Sequence, residues 1–301
     1  MKTIFFIVIS VGLFQQSAAA YEFKALSVPG YSKTWLMIKS ESAPITSITK
    51  IRLHLHGWTQ DPVNGKPFND LFDFSWRDAS IMPSDLGMKT LIEGYGMQRE
   101  VDAFIDTAIL VPISRGHCDQ YPELLNDFDI TFSKVISAFG FNSDFVRLDH
   151  VSAHSGGGEY LSRLITSNSR SSFFQQLKKV TFYDAIYSES AKKRLSQWLN
   201  EVVPSPSRSL EVINVPNGSP SVFGASLFDS VKASETKKTV AIDSTTVRCR
   251  EKIHQAGNSL QIIEENHKPT LLDHWTLVKA LWLFTCNPDP KRTPSSKKNS
   301  R

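Results

Sequence analysis

A glycine-rich turn between a predicted strand and a predicted helix is the feature that most constrains the fold of this 301-residue chain. The turn spans residues 152–158 and reads SAHSGGG. Residues 145–151 have the composition of a strand, and residues 159–166 carry apolar side chains at helical spacing. At such a corner the hydroxyl of Ser155 faces the same side as the N–H groups that begin the helix, which suits a nucleophile that forms an oxyanion. A phosphate-cradling turn or a plain loop is the alternative.

The sequence of this turn resembles the nucleophile elbow of the α/β-hydrolases, G-x-S-x-G, with Ala153 in place of the first glycine. Small residues at Ala153 and Gly157 are what so tight a corner requires. The resemblance covers residues 45–285 and implies that Ser155 is the nucleophile. It also implies the α/β-hydrolase fold, with a mostly parallel central sheet and helices on both faces.

Predicted strands and helices alternate along the chain, which by itself favours a mostly parallel sheet covered on both faces. Segments rich in β-branched and large apolar residues predict strands at 48–56, 107–112, 145–151, 179–183, 209–215 and 259–264. Helical patterns lie between or after them, at 128–139, 159–166, 191–202 and 275–284.

A second part of the site is implied where the strand at 51–56 ends in His-Gly-Trp. By resemblance, the backbone N–H groups of Trp58 and Gly156 form the oxyanion hole, and His56 orients the loop without taking part in the chemistry. His54 and His56 share one strand face, and His-x-His also begins many metal sites. The following residues, GWTQD, lack the Asp-His that completes such a signature, so we expect no metal and no cofactor.

The general base is predicted from chain order, because in this fold the histidine follows the last strand and precedes the C-terminal helix. His274 lies directly before the predicted helix at 275–284 and is the preferred base. His267 is the alternative within the same triad. A histidine that only packs at the start of the helix is the structural alternative for His274.

The acid of the triad is harder to assign, because the predicted strand at 209–215 runs into PNGSP, which contains no carboxylate. Some α/β-hydrolases place the acid one strand earlier, and here Asp184 ends the strand at 179–183. A carboxylate at an apolar strand end is costly to bury without a partner, which favours a hydrogen-bonded role. Asp229 and Asp243 are the alternatives, and a cap of the following helix is the structural explanation of Asp184.

Both ends of the chain differ from its middle. Residues 1–20 have the basic start, short apolar core and Ala-rich exit of a secretory signal peptide, so we expect an exported protein. Residues 21–288 then form a single domain with no further transmembrane segment. Residues 289–301 are a basic, Ser/Pro-rich tail that we expect to be disordered. No aromatic residues interleave with its charges, which argues against nucleic-acid binding.

The sequence contains three cysteines, Cys118, Cys249 and Cys286, so at most one intramolecular disulfide can form. Cys249 and Cys286 flank the last strand and the final helix, and this pair is our prediction for an exported chain. Cys118 is then a free thiol or a buried, inert cysteine.

These observations predict a secreted serine hydrolase that cleaves an ester through Ser155, His274 and Asp184. The substrate is a small-molecule or polymer-linked acyl group. An amidase or peptidase with the same triad is one alternative, and a non-catalytic binding member of the fold is another. The aromatic-rich insertion at residues 63–100, which includes Tyr95, is expected to wall or lid the substrate pocket, and the segment at 115–126 is expected to form a polar loop on the functional edge.

Overall fold

The structure is a computed structural model, and it describes residues 20–28, 34–57, 85–113, 122–200, 208–215, 219–242, 245–253, 258–265 and 281–282. The predicted signal peptide, apart from residue 20, and the predicted tail lie outside these residues. So does most of the helix predicted at 275–284. No helix in the described ranges is long and apolar enough to cross a membrane.

One sheet of ten strands runs through the described part of the chain. Its strands are β1 Tyr21–Ser27, β2 Thr34–Ser40, β3 Lys50–Leu55, β4 Thr107–Ile113, β5 Arg147–His154, β6 Lys179–Tyr183, β7 Ser209–Asn214, β8 Glu235–Ile242, β9 Thr245–Ile253 and β10 Ser259–Glu265. Their order across the sheet is β1-β2-β4-β3-β5-β6-β7-β10-β9-β8. The central strands from β4 to β10 in this order are mutually parallel, and the two pairs at the margins are antiparallel. The predicted mostly parallel sheet is confirmed.

Helices cover both faces of this sheet, as the sequence predicts. The α-helices in the described ranges are α1 Asp85–Tyr95, α2 Met97–Ala103, α3 Pro122–Asn126, α4 Phe128–Ala138, α5 Gly157–Ser167, α6 Ser172–Gln175, α7 Glu189–Asn200 and α8 Ser219–Ser230, and a short 3-10 helix spans Ile45–Ser47. Helices α3 to α8 pack on one face, and α1, α2 and Trp282 pack on the other. Strands buried on both faces are typical of parallel sheets, which explains the long apolar runs.

The two faces differ in chemistry, because successive residues of a strand point to opposite sides. We call the side of Val151, Ala153, Phe182 and Val212 the apolar face, where these residues pack against apolar side chains of α3 to α8. The opposite side, the polar face, carries the side chains of Arg52, His54, Ser152, Tyr183 and Glu211, each of them buried. Buried polar groups need hydrogen-bond partners, so the polar face must contain a directional network.

Several elements were not predicted from the sequence. The N-terminal strands β1 and β2 and the hairpin of β8 and β9 extend the sheet beyond the predicted strands. The hairpin separates β7 from β10 along the chain, although these two strands pair in parallel. Residues 85–100 belong to the insertion predicted to wall the pocket. They form α1 and the start of α2, which contribute buried residues to the core under the polar face.

Candidate active site

Ser155 lies where β5 passes into α5, in a backbone conformation that few serines adopt. Its φ is 52°, in the left-handed region, although it is not glycine. The Ser155 N–H donates to the Tyr183 carbonyl at 3.1 Å, and its own carbonyl accepts from the N–H of Gly158 at 3.0 Å. Such strain persists only where the surroundings fix it, and it is the backbone geometry of a nucleophile elbow. Ser155 remains half-buried while its neighbour His154 is fully buried.

The glycines of the turn are explained by close approach of other backbone segments. A Cβ at Gly157 would lie 2.5 Å from the Leu55 carbonyl oxygen, which confirms that a small residue is required there. At Gly158 the same atom would lie 1.9 Å from the carbonyl oxygen of Ala185. The start of α5 is therefore wedged between the loops that follow β3 and β6. The positive end of the α5 dipole lies next to Ser155 and favours negative charge there.

Gly57 brings the end of β3 against Ser155. A Cβ at Gly57 would lie only 2.6 Å from the Ser155 Cβ and 3.1 Å from His154 Nδ1, so no other residue fits without a shift. The carbonyl of Gly57 is 2.7 Å from His56 Nδ1, close enough for the imidazole N–H to donate to it. His56 is fully buried and thus holds the loop, which is the role that the resemblance implies for it.

Asp184 directly follows β6 and lies beside Ser155, since β5 and β6 pair in parallel up to His154 and Tyr183. It also has a left-handed backbone, with φ of 44°, and it is buried. Its N–H donates to the Ile213 carbonyl at 2.6 Å, and its carboxylate accepts the Val215 N–H at 3.3 Å. The carboxylate therefore reaches the end of β7, the usual position of the acid in this fold, from the strand before it.

A capping role for Asp184 does not agree with the geometry of the next helix. Helix α7 begins at Glu189, and the Ala191 N–H donates to Ser188 Oγ at 3.0 Å. Ser188 is thus the residue whose side chain caps α7. Asp229 lies near the C-terminal end of α8, where it is mostly exposed and 3.7 Å from Arg250. Because α8 follows β7 and runs back across the sheet, Asp229 is almost a whole helix length from the edge that carries Ser155.

Other residues predicted for the site or for the disulfide lie outside the described residues, namely Trp58, His267, His274, Asp243, Cys118 and Cys286. Gly156, the second predicted oxyanion donor, is described and sits half-buried at the N-cap of α5. Cys249, on β9, is disulfide-bonded. No group of three or more potential metal ligands occurs among the described residues.

A network of buried polar and aromatic side chains lies on the polar face below the turn. Arg52 forms an ion pair with Glu100 of α2 and donates to Ser152 Oγ at 3.1 Å and to the Tyr183 hydroxyl at 3.0 Å. The indole N–H of Trp282 donates to Glu100 at 2.8 Å, and the Arg52 guanidinium lies 3.7 Å from the centroid of this indole ring. The network thereby connects α2, β3, β5, β6 and the segment at 281–282.

His54 lies within this network and is held neutral by its surroundings. It is fully buried, its Nδ1 is 2.8 Å from Ser152 Oγ, and its ring packs edge-on against Tyr95 and Trp282. Burial, followed by the nearby positive charge of Arg52, lowers the pKa of His54 well below its ordinary value of 6.5. A neutral imidazole with a serine partner explains the His-x-His pattern of β3 as part of the buried network.

Tyr95 belongs to the insertion expected to wall the pocket, but its contacts beside the candidate site were not predicted. It is the last residue of α1, yet its hydroxyl is 3.1 Å from His154 Nδ1 and accepts the N–H of Gly57 at 3.4 Å. In the sequence it was only one aromatic residue of the insertion at 63–100. No local signal points to it, because its partners are 38 and 59 residues away.

Comparison with solved structures finds hydrolases at low similarity. Esterase B from Lactobacillus rhamnosis HN001 is 13% identical over 69% of this chain and 70% of that chain, with a TM-score of 0.39. A prolyl endopeptidase is 10% identical over 81% of this chain and 34% of that chain, with a TM-score of 0.40. An arylesterase is 9% identical over 70% and 72%, with a TM-score of 0.36. No protein-family model matches the chain, and no curated protein matches it significantly.

The fold is assigned from the chain's own geometry. A mostly parallel sheet with helices on both faces carries, at the C-terminal end of a central strand, a serine in a strained turn that opens into a helix. This is the architecture of the α/β-hydrolase fold, and it agrees with the elbow motif in the sequence. The chain therefore resembles the α/β-hydrolase superfamily both in its turn motif and in its architecture.

Proposed function

We propose that this protein is an exported serine hydrolase that cleaves an ester of a small-molecule or polymer-linked acyl group. The observation that carries the proposal is the left-handed Ser155 at the junction of β5 and α5. A serine is strained in this conformation, and the strain has a chemical use where it presents the hydroxyl beside the N-terminus of a helix. The signal-like segment at residues 1–20 supports export.

In the proposed mechanism, Ser155 Oγ attacks the acyl carbonyl carbon while His274 accepts the serine proton. The N–H groups of Gly156 and Trp58 donate to the oxyanion of the tetrahedral intermediate. His274 then gives the proton to the leaving alcohol, and the acyl group remains on Ser155 as an ester. Water, deprotonated by His274, attacks that ester and releases the carboxylic acid and the free serine.

Asp184 is proposed to accept the other imidazole N–H of His274 and to stabilise the imidazolium. Its position supports this role: the carboxylate is buried, lies at the C-terminal edge beside the serine strand, and is held by the N–H of Val215. A carboxylate fixed in this way keeps its orientation while a proton moves on the neighbouring base.

The direct test is covalent labelling of the purified mature protein with a fluorophosphonate probe, together with hydrolysis of chromogenic acyl esters. We expect Ser155→Ala to abolish labelling and to lower kcat by several orders of magnitude, as in triad enzymes generally. Ser162→Ala is the matched control, since Ser162 is a buried serine on α5 outside the site. A folded wild-type protein that neither labels nor hydrolyses esters would instead be a binding member of the fold.

The base and the acid are tested in the same assay. His274→Ala should be about as damaging as Ser155→Ala, and His267→Ala should be milder, because members of one triad act as a unit. Asp184→Asn should lower kcat by about 10⁴ with an unchanged melting temperature, while Asp229→Asn and Asp243→Asn stay near wild type. If His267→Ala is more damaging than His274→Ala, His267 is the base. If Asp229→Asn or Asp243→Asn lowers kcat more than Asp184→Asn does, that aspartate is the acid.

A further inference from the structure

The hydroxyl of Tyr95 occupies the space between the two loops of the proposed site. It accepts the N–H of Gly57, at the end of the β3 loop, and it lies 3.1 Å from His154 Nδ1, one residue before the nucleophile. The tyrosine is 5% exposed, and its ring packs edge-on against His154 with centroids 5.5 Å apart. These contacts join α1 to the end of β3 and to the end of β5.

The Tyr95 hydroxyl can both accept and donate a hydrogen bond in this cluster. A tyrosine hydroxyl carries one proton, and here its oxygen already accepts the proton of the Gly57 N–H. The hydroxyl can therefore donate its proton to His154 Nδ1 in the tautomer that leaves this nitrogen unprotonated. Burial raises the pKa of Tyr95 far above its ordinary value of 10.0, so the hydroxyl keeps its proton throughout the working pH range.

Gly57 is consequently held at both of its backbone polar groups. The Tyr95 hydroxyl accepts the Gly57 N–H, and the His56 Nδ1 lies 2.7 Å from the Gly57 carbonyl oxygen. The Cα of Gly57 has no room to move toward Ser155. The Gly57 N–H belongs to the peptide that joins His56 to Gly57, so its hydrogen bond to Tyr95 restrains the plane of that peptide. The next residue in the chain is Trp58, whose N–H is assigned to the oxyanion hole in the proposed mechanism.

We propose that Tyr95 is a positioning residue that holds Gly57, the residue before the proposed oxyanion donor, against the end of β5 through His154. This inference rests on the proposed function, because it assigns a role in the same site. Tyr95 acts through Gly57 and does not touch the substrate. Oxyanion donors act only at about 2.7–3.1 Å from the oxygen, and a misplacement of about 1 Å can cost roughly 10²-fold in rate.

The test is Tyr95→Phe, which removes the hydroxyl and keeps the ring. We expect kcat to fall by about 10-fold to 100-fold with KM within about threefold of wild type, since the loss concerns an interaction made in the transition state. The affinity for a trifluoromethyl ketone, which forms an oxyanion on Ser155, should fall by a similar factor. A purely structural role would lower the melting temperature and would not produce this split between kcat and KM.

Tyr160→Phe is the matched control, because Tyr160 is an equally buried tyrosine on the apolar face. It should keep kcat within about twofold of wild type while losing some stability. An active, probe-labelled wild type with an equally active Tyr95→Phe would overturn the positioning role alone. The positioning role is also overturned if both variants lose activity in proportion to their melting temperatures. A wild type that neither labels nor turns over would overturn the proposed function and this inference together.

Discussion

The apolar and polar faces of the sheet come from the same strands and differ in what they provide. In β5, Val151 and Ala153 pack into the apolar core, while His150, Ser152 and His154 point to the other side. Apolar contacts are not directional and tolerate small shifts, whereas hydrogen bonds lose strength with angle and distance. The proposed site depends on both faces: the apolar face anchors helix α5, and the polar face orients the loops around Ser155.

Substitutions on the polar face are expected to destabilise the fold more, because each buried polar group there depends on a hydrogen-bond or ion-pair partner. Removing an apolar side chain leaves a cavity, but removing one member of an ion pair leaves an uncompensated buried charge. We therefore expect the two faces to respond differently to matched substitutions.

The largest effect on stability is expected for Glu100→Leu on the polar face. Arg52 would keep its charge while 2% exposed and without its carboxylate, which should cost about 3–5 kcal/mol in the free energy of unfolding. Urea denaturation measures this loss. The double variant Arg52→Met/Glu100→Leu should recover most of it, since the two charges leave together. If the double variant is no more stable than Glu100→Leu, the ion pair is not the cause.

A somewhat smaller effect is expected for Leu195→Ala on the apolar face. Leu195 of α7 is fully buried, and its truncation should cost about 2–4 kcal/mol through lost transfer energy and a residual cavity. Below the melting temperature kcat should stay within about twofold of wild type, because no directional bond of the site is altered. A large loss of kcat in folded protein would show that the apolar face also positions the site.

The pH dependence of stability should identify the neutral histidine of the polar face. The pKa of His54 is lowered in the folded state, so below about pH 6.5 the unfolded chain binds a proton that the folded chain does not. The free energy of unfolding is therefore highest above about pH 6.5 and decreases as the pH falls below it. Between pH 7 and 5.5, wild type should lose about 1 kcal/mol more than His54→Phe in urea denaturation. Parallel curves for the two proteins would mean that His54 titrates normally.

The smallest expected effect is a gain in stability from replacing a buried polar residue on the apolar face. Asn214 of β7 is fully buried beside Gly224, and neither its amide nitrogen nor its amide oxygen has a hydrogen-bond partner among the described residues. Asn214→Leu preserves the shape and should stabilise the fold by about 1 kcal/mol, measured by thermal and urea denaturation.

Asn258 provides the matched control for this substitution. It is also fully buried, but its amide oxygen accepts the Arg208 N–H and its amide nitrogen donates to the Leu199 carbonyl, both at 3.0 Å. Asn258→Leu should therefore destabilise by about 1–3 kcal/mol. If Asn214→Leu and Asn258→Leu change the free energy of unfolding equally, hydrogen bonding does not distinguish the two asparagines.

Much of the fold could be predicted because its signals are local. Parallel strands buried on both faces are continuous apolar runs, and β4, β6, β7 and β10 were predicted to within about two residues at either end. The β8–β9 hairpin was missed because β8, ETKKTVAI, is mostly polar and pairs only with β9 at the margin of the sheet. Edge strands carry few of the apolar residues that mark a strand in a sequence.

The sequence by itself determined the turn at Ser155 and the layered class of the fold, because both follow from contacts between residues close together in the chain. Only the tertiary structure decided that Asp184 reaches the end of β7, that Gly57 lies against Ser155 and that Tyr95 of α1 contacts both Gly57 and His154. The physical reason is that hydrogen bonds and close approaches join whichever atoms packing brings together. Their partners here are tens of residues apart, and no local pattern encodes that proximity.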